Sequence, residues 1–149
     1  MATITGGEKL AAKLKEMAAL VSKPATLRVG FLENAKYPDG TPVAMIAAIQ
    51  DYGAPNAGIP PRPFFRNMIA AKSPEWPAAI AQLLKDNNLD AVKALDQTGF
   101  AIEGQLRESI QQTNAPPLAP STIARKGFDK PLIDTGHMYN SVDHEVTTS

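Results

Sequence analysis

The sequence predicts an α+β fold, with a small antiparallel sheet and several packed helices in a single domain. Apolar residues recur every three or four positions along most of the chain, as in amphipathic helices. Only two short stretches, one near each end, alternate apolar and polar residues as strands do. The 149 residues match the size of one domain. We therefore expect one domain over 1–149, with an N-terminal helix in 1–23 and the strands and other helices in 24–149.

The first two elements follow from periodicity. A helix is predicted over Gly7–Ser22, because one stripe contains Leu10, Leu14, Met17 and Val21. Pro24 ends this helix. The alternation in Thr26–Glu33 predicts a strand, and a turn follows at Pro38-Asp39-Gly40.

The next segment predicts a buried helix and a stiff loop. Thr41 offers a capping hydroxyl and Pro42 suits the first helical position. The helix that follows, Val43 to Tyr52, is apolar nearly all round, so we expect it to be buried, with Gly53 as its C-terminal cap. The prolines of Ala54–Pro63 predict an extended loop of polyproline character.

The remaining chain is mostly helical in its patterns. Helices are predicted over Phe64–Ala71, Trp76–Lys85, Leu89–Gln112, Ser121–Lys126 and Gly136–Ser141. The stripe of the longest contains Val92, Leu95, Gly99, Ile102, Leu106 and Ile110. Gly99 and Gly104 destabilise this helix unless another backbone packs closely against them. Val142–Thr147 predicts a last strand, the natural antiparallel partner of Thr26–Glu33.

Composition excludes several classes of protein. Fifteen basic and fifteen acidic residues give a net charge of zero, which excludes a strongly basic nucleic-acid binder and an acidic tail protein. Without cysteine there are no disulfides and no thiolate metal sites. We expect no membrane contact, because no apolar run is long enough to span a bilayer. The N-terminus lacks a secretory signal pattern, so we expect synthesis in the cytoplasm.

Catalytic signatures are weak. His137 follows Asp134 and His144 follows Asp143, so a metal site or general base is conceivable. Their spacing fits no known metal motif, and we expect a solvated or structural role for both histidines. Acid pairs such as Glu103 with Glu108, and Asp86 with Asp90, have the spacing of solvated helix faces. The sequence predicts no enzyme, no metal and no cofactor; a hydrolase around His137 and Asp134 is the alternative.

Basic residues raise a second alternative. Arg62 and Arg66 flank Phe64-Phe65, and Arg125, Lys126 and Lys130 form a later cluster. Arginines beside aromatic side chains occur in single-stranded nucleic-acid sites. The clusters are small and lack a recognition motif. We therefore favour Arg62 and Arg66 pairing with local acids or capping a helix, and keep nucleic-acid binding as the alternative.

The most distinctive segment is Ile59-Pro-Pro-Arg-Pro-Phe-Phe-Arg66. Its prolines fix the backbone, so docking against a partner would lose little entropy. Phe64 and Phe65 are adjacent at a helix start and cannot face the same way. One would enter the core while the other fills a partner's pocket, with Arg62 and Arg66 as interface anchors. A buried hydrophobic corner is the equal alternative.

Three blocks in order resemble a known family. An apolar helix ending in Asp51-Tyr-Gly leads to Ile59-Pro-Pro-Arg-Pro-Phe-Phe-Arg66, and Pro131-Leu-Ile-Asp-Thr-Gly-His-Met-Tyr-Asn-Ser-Val142 comes much later. This order resembles the tail-completion, or head–tail joining, proteins of long-tailed bacteriophages and prophages. Those proteins carry an I-P-x-R-P-F-x-R block and a late L-x-D-T-G-x-[LM]-x-x-S-[IV] block. The resemblance covers roughly residues 43–146.

What the resemblance implies is a structural virion protein of the phage neck, and a virion assembly factor is the alternative. Such proteins assemble as an oligomeric ring, expected to be a hexamer, between a head-completion or stopper protein and the tail terminator or tail tube. Genome DNA would pass through the lumen without sequence-specific binding. The implied interface residues are Pro61, Arg62, Pro63, Phe64, Phe65, Arg66, Asp134, Thr135 and Gly136. Ser141 also matches the late block.

Overall fold

A computed structural model describes residues 6–113 and 136–148 and confirms the predicted α+β class as one compact domain. In chain order these ranges form α1 (Gly7–Ser22), β1 (Ala25–Phe31), α2 (Val43–Tyr52), α3 (Phe64–Lys72), α4 (Trp76–Asp86), α5 (Ala91–Gln112), α6 (His137–Asn140) and β2 (Val142–Thr148). Two short 3₁₀ turns lie at Pro55–Ala57 and Ser73–Glu75. The predicted helix at Ser121–Lys126, the basic residues Arg125, Lys126 and Lys130, and Asp134 and Thr135 lie outside the described residues.

The two strands pair as predicted. β1 and β2 are antiparallel, in a register that runs from Ala25 opposite Thr148 to Phe31 opposite Val142. Because side chains alternate between faces, Leu27, Val29 and Phe31 lie on the core side. Arg28 lies on the other face and forms an ion pair with Glu145, its register partner.

α5 is the centre of the domain. It packs against both strands and against α3 and α4. Its predicted stripe is largely confirmed, because Gly99, Ile102, Leu106 and Ile110 are buried. Val92 is instead 41% exposed, because it lies in the first turn of the helix. The buried apolar cluster around α5 contains Val43, Ala47, Phe64, Met68, Ile102, Leu106, Ile110, Met138 and Val142.

The prediction that α2 is buried all round was wrong. Only Val43, Ala47 and Asp51 are buried, one residue per turn, whereas Met45 is 50% exposed. The predicted cap at Thr41 was also wrong, since α2 begins at Val43 without a side-chain cap. The backbone N–H of Thr41 instead donates to the carboxylate of Asp39, an Asx turn that competes with capping.

The loop between α2 and α3 is more compact than an extended polyproline segment. Its backbone forms an antiparallel bridge in which Ala54 and Ile59 exchange hydrogen bonds of 2.8 and 3.0 Å. A 3₁₀ turn at Pro55–Ala57 closes the small loop between them. The extended prediction was therefore wrong for its first half, because the glycine at position 58 lets the chain turn back.

The first two residues of the apolar stripe of α1 face solvent. Leu10 is 61% exposed and Leu14 is 55% exposed. Among the described residues, no helix is both long and apolar enough to span a bilayer.

Candidate protein-interaction site

The segment Ile59–Arg66 forms a corner at which the loop enters α3 and meets the end of α2. Asp51, in the last turn of α2, is only 4% exposed. Its carboxylate accepts hydrogen bonds from the backbone N–H groups of Phe65 (3.0 Å) and Arg66 (3.3 Å). Those N–H groups lie in the first turn of α3 and have no partner within that helix. Asp51 therefore caps α3 from a different helix, and its negative charge suits a helix N-terminus.

Arg66 closes the same corner from the other side. Its Nε donates to the carboxylate of Asp51 (2.6 Å) and its Nη2 donates to the backbone carbonyl of Asp51 (2.8 Å). The guanidinium also lies 4.5 Å from the ring centroid of Tyr52, a cation–π contact. The predicted pairing of Arg66 with a local acid is confirmed. About half of the side chain, 48%, remains exposed.

Arg62 is held inside the corner. It is only 7% exposed, and its backbone N–H donates to the carbonyl of Gln50 (2.7 Å). Its Nη1 donates to the side chain of Gln50 at 3.5 Å. Burial lowers the pKa of the Arg62 guanidinium, although such a group still carries its proton at neutral pH. Arg62 thus holds the corner together from within.

The two adjacent phenylalanines differ in burial, as the first of the two predicted alternatives requires. Phe64 is fully buried, and its carbonyl accepts a hydrogen bond from Ser109 of α5 (2.6 Å). Phe65 is half-buried, with its ring centroid 6.2 Å from that of Phe64 and 6.3 Å from that of Phe31. That one of the two enters the core is confirmed, and the structure shows that it is Phe64. That Phe65 fills a partner's pocket stays a prediction.

Gly53 permits the close approach of the loop to α2. Its φ of 77° is left-handed, and a Cβ here would lie 2.8 Å from the backbone nitrogen of Pro61. The predicted C-terminal cap is confirmed, since its N–H donates to the carbonyl of Ile49. Only glycine fits both the conformation and the space.

The accessible part of the corner borders an apolar groove. Pro61 and Arg66 are exposed, Pro63 is half-buried, and Tyr52 is 66% exposed. The groove has a volume of about 390 Å³ and lies between β1, α2 and α3. Its walls include Val29, Phe31, Ala44, Ala48, Tyr52 and Ile69. This corner and groove form a surface suited to a protein partner.

The described part of the late block, from Gly136 onward, contacts the loop that follows β1. Gly136 precedes α6 in a left-handed conformation, and Met138 is buried in the core. The Nε2 of His137 lies 2.8 Å from the carbonyl of Lys36, and its ring stacks on Tyr37. His137 thus has a structural contact, as expected. Whether Asp134 or Thr135 caps α6 stays a prediction, since both lie outside the described residues.

A buried polar cluster joins α5 to β2, and the sequence reasoning missed it. The Nδ1 of His144 lies 2.6 Å from a carboxylate oxygen of Glu103, and its Nε2 lies 2.8 Å from one of Asp96. The side chains of His144 and Glu103 are 6% and 7% exposed. Glu103 also pairs with Arg107 at 3.4 Å. The expectation that Glu103 lies on a solvated face was wrong, because the arriving β2 covers that face.

The environment of His144 favours its charged form. Burial lowers the pKa of the imidazole, but its hydrogen bonds to Glu103 and Asp96 and the charges of both carboxylates outweigh it. The net effect raises the pKa of His144 above its ordinary value. An imidazolium donates from both nitrogens at once, which satisfies both carboxylates. The structural role expected for His144 is confirmed, as a buried bridge between two carboxylates rather than as a solvated residue.

The same cluster has the spacing of metal ligands. Glu103, Asp143 and His144 place one ligand atom each within 4.8 Å of one another. Both ring nitrogens of His144 already contact carboxylates, and Glu103 is ion-paired with Arg107. These contacts account for the cluster as a structural bridge between α5 and β2.

The chain matches no protein-family model, no curated protein and no solved structure. These comparisons therefore give no information about the function, and we infer it from the sequence blocks and the geometry of the described residues.

Proposed function

We propose that the protein is a structural component of the neck of a long-tailed bacteriophage or prophage particle. It would complete the tail and join it to the head by assembling as an oligomeric ring. Its neighbours would be a head-completion or stopper protein on one side and the tail terminator or tail tube on the other. In this role it is made in the host cytoplasm, resides in the virion and needs no cofactor.

One observation carries this proposal: the first two of the three ordered blocks on which the resemblance depends meet in one hydrogen-bonded corner. Asp51 of the first block caps the helix that begins within the second, and Arg66 of the second returns two hydrogen bonds to Asp51. The blocks thus encode one structural unit bordered by an accessible apolar groove. A preformed surface of this kind favours assembly because little entropy is lost on docking.

Electron cryomicroscopy of particles from the phage or prophage that encodes the chain tests the proposal. We expect a ring of density for this chain between head and tail, from which the copy number can be counted. Mass spectrometry of the purified particles is the companion measurement. Absence of the chain from the particles, with the protein present in the cell extract, would refute the neck assignment.

A titration of labelled DNA at two salt concentrations tests the nucleic-acid alternative. Affinity that falls steeply with salt is the signature of contacts to phosphates. In the structure Arg62 is buried against Gln50, and Arg66 is paired with Asp51. We therefore expect neither arginine to support such binding, whereas Arg125 and Lys126, which the alternative also uses, lie outside the described residues. Binding that falls with salt, and that Arg66→Ala weakens, would favour the alternative.

A further inference from the structure

The two-stranded sheet has two outer edges, one on β1 and one on β2. β1 and β2 pair with each other, and no third strand within residues 6–113 and 136–148 joins either of them. Each outer edge presents a row of backbone N–H and C=O groups that a further strand would satisfy. Pairing of this kind is a common mode of recognition between chains.

The two strands carry opposite charges on the face of the sheet that points away from the core, which we call the open face. β1 carries Arg28 on this face, whereas β2 carries Asp143 and Glu145. Arg28 and Glu145 already pair at 3.4 Å within the chain, with side chains 67% and 43% exposed. A second β2 on the free edge of β1 would set another acidic strand beside Arg28. Pairing β1 with β1, or β2 with β2, would instead place like charges side by side.

The surfaces next to the two edges are also complementary. Beside β2, Phe100 of α5 is 62% exposed, and the centroid of its ring lies 4.6 Å from that of the His144 ring. Beside β1 lies the apolar groove of about 390 Å³, with walls that include Val29, Phe31 and Ala48. One edge therefore has an apolar projection and the other has an apolar recess.

The dimensions of the layers allow the arrangement to repeat. Neighbouring strands lie about 4.8 Å apart, so two strands are about 10 Å wide. An α-helix with its side chains is also about 10 Å wide. Each copy contributes two strands and one long helix, α5, that covers them. Adjacent copies can therefore extend the sheet and the helix layer in step.

We propose that β2 of one copy pairs with the free edge of β1 in a second copy, and that Phe100 of the first enters the groove of the second. The contact is head-to-tail, and head-to-tail contacts close into rings when the rotation between copies permits. The occupant of the groove is thus a second copy of this chain. This inference rests on the proposed ring and specifies the surface through which it forms.

Single-cysteine variants test the pairing, because the natural chain has no cysteine. Thr26 and Thr147 are exposed and are register partners within one chain, and the proposed contact repeats this antiparallel register between copies. We expect an oxidised mixture of Thr26→Cys protein and Thr147→Cys protein to form a disulfide between the two variants. Each variant alone should remain unlinked. A linked dimer of one variant alone would show like-strand pairing and overturn the head-to-tail arrangement.

The proposed contact uses Phe100 at the β2 edge only, so the yield of the mixed disulfide should depend on which of the two cysteine variants lacks Phe100. Phe100→Ser in the Thr147→Cys protein removes the projection from the junction that is cross-linked, so the yield should fall several-fold. Phe100→Ser in the Thr26→Cys protein lies at the other edge of that copy and should leave the yield unchanged. Equal losses in both mixtures would refute the groove contact.

Particles carrying both cysteine variants extend the test to the assembled neck. If neither the oxidised particles nor the purified mixture contains the mixed disulfide, strand pairing between copies is refuted. A ring in the neck without the disulfide would leave the proposed function standing and refute this inference. The disulfide in purified protein, with the chain absent from particles, would refute the function and support the pairing.

Discussion

The carboxylate of Asp51 accepts hydrogen bonds from both the backbone N–H and the Nε of Arg66, fifteen residues later in the chain. One buried acid thereby joins the end of α2 to the start of α3. Because the groove lies between these helices and β1, the same contact fixes two of its walls.

Replacing Asp51 should therefore destabilise the domain. In Asp51→Ala the N–H groups of Phe65 and Arg66 lose their acceptor and the guanidinium loses its partner. Breaking a buried pair on one side costs about 3 kcal/mol of unfolding free energy. Urea denaturation measures the change. Arg28→Ala, in the exposed pair with Glu145, is the control and should cost less than about 1 kcal/mol. Equal losses in the two variants would contradict the structural role of Asp51.

Proton uptake by His144 should make stability depend on pH. Its pKa is raised in the folded state, so its contribution is fully present below the unfolded value, about 6.5. It is lost as the pH rises through the higher folded value, because neutral imidazole donates from only one nitrogen. The groups that face it are Glu103, Asp96 and Asp143, and Arg107 pairs with Glu103.

His144→Gln tests this coupling. We expect a loss of about 2 kcal/mol at mildly acidic pH, and a smaller difference from the natural protein as the pH rises. Urea denaturation over roughly pH 5 to 9 gives the slope, and NMR titration of the imidazole gives the pKa directly. His137→Gln is the matched control, since the ring of His137 faces a carbonyl rather than carboxylates. An NMR pKa of His144 below its ordinary value would contradict the charged bridge.

Local signals in the sequence predicted most of the fold. The stripe of α5 and the alternation in both strands specify which faces are buried, and the antiparallel pairing of β1 with β2 followed from them. Gly53 was predicted as a helix end and Phe64 as one of two core alternatives. These features depend on neighbours within a few residues.

Contacts between distant residues were not predicted. Periodicity assigns Glu103 to a helix surface, and nothing near it in the chain indicates that β2 will bring His144 there from 41 residues away. Asp51 was noted as part of a motif, yet its capping of α3 needs the fold of the loop between them. The apolar composition of α2 overstated its burial, because alanine is common on exposed helix faces as well.

The two glycines of α5 should respond oppositely to alanine. A Cβ at Gly99 would collide with the imidazole of His144, which two carboxylates hold in place. At Gly104, no atom of the described residues lies within 4 Å of an added Cβ, apart from the adjacent backbone of the helix itself. We expect Gly99→Ala to cost about 2 kcal/mol from overpacking, and Gly104→Ala to gain about 0.5–1 kcal/mol from helix propensity. Thermal unfolding of both variants measures this, and a stabilised Gly99→Ala protein would show that His144 is free to move.

Substitutions at the most buried and the most exposed of the described phenylalanines should separate effects on folding from effects on assembly. Phe64 is fully buried, whereas Phe100 is 62% exposed. Phe64→Ala should cost about 3–5 kcal/mol, because it removes a core ring and leaves a cavity. Phe100→Ala should change the unfolding free energy of the monomer by less than about 1 kcal/mol, because its ring is mostly in water. Sedimentation velocity completes the comparison: Phe100→Ala should weaken self-association while circular dichroism stays unchanged. A Phe100→Ala protein that associates as the natural chain does would show that Phe100 lies outside the contact between copies.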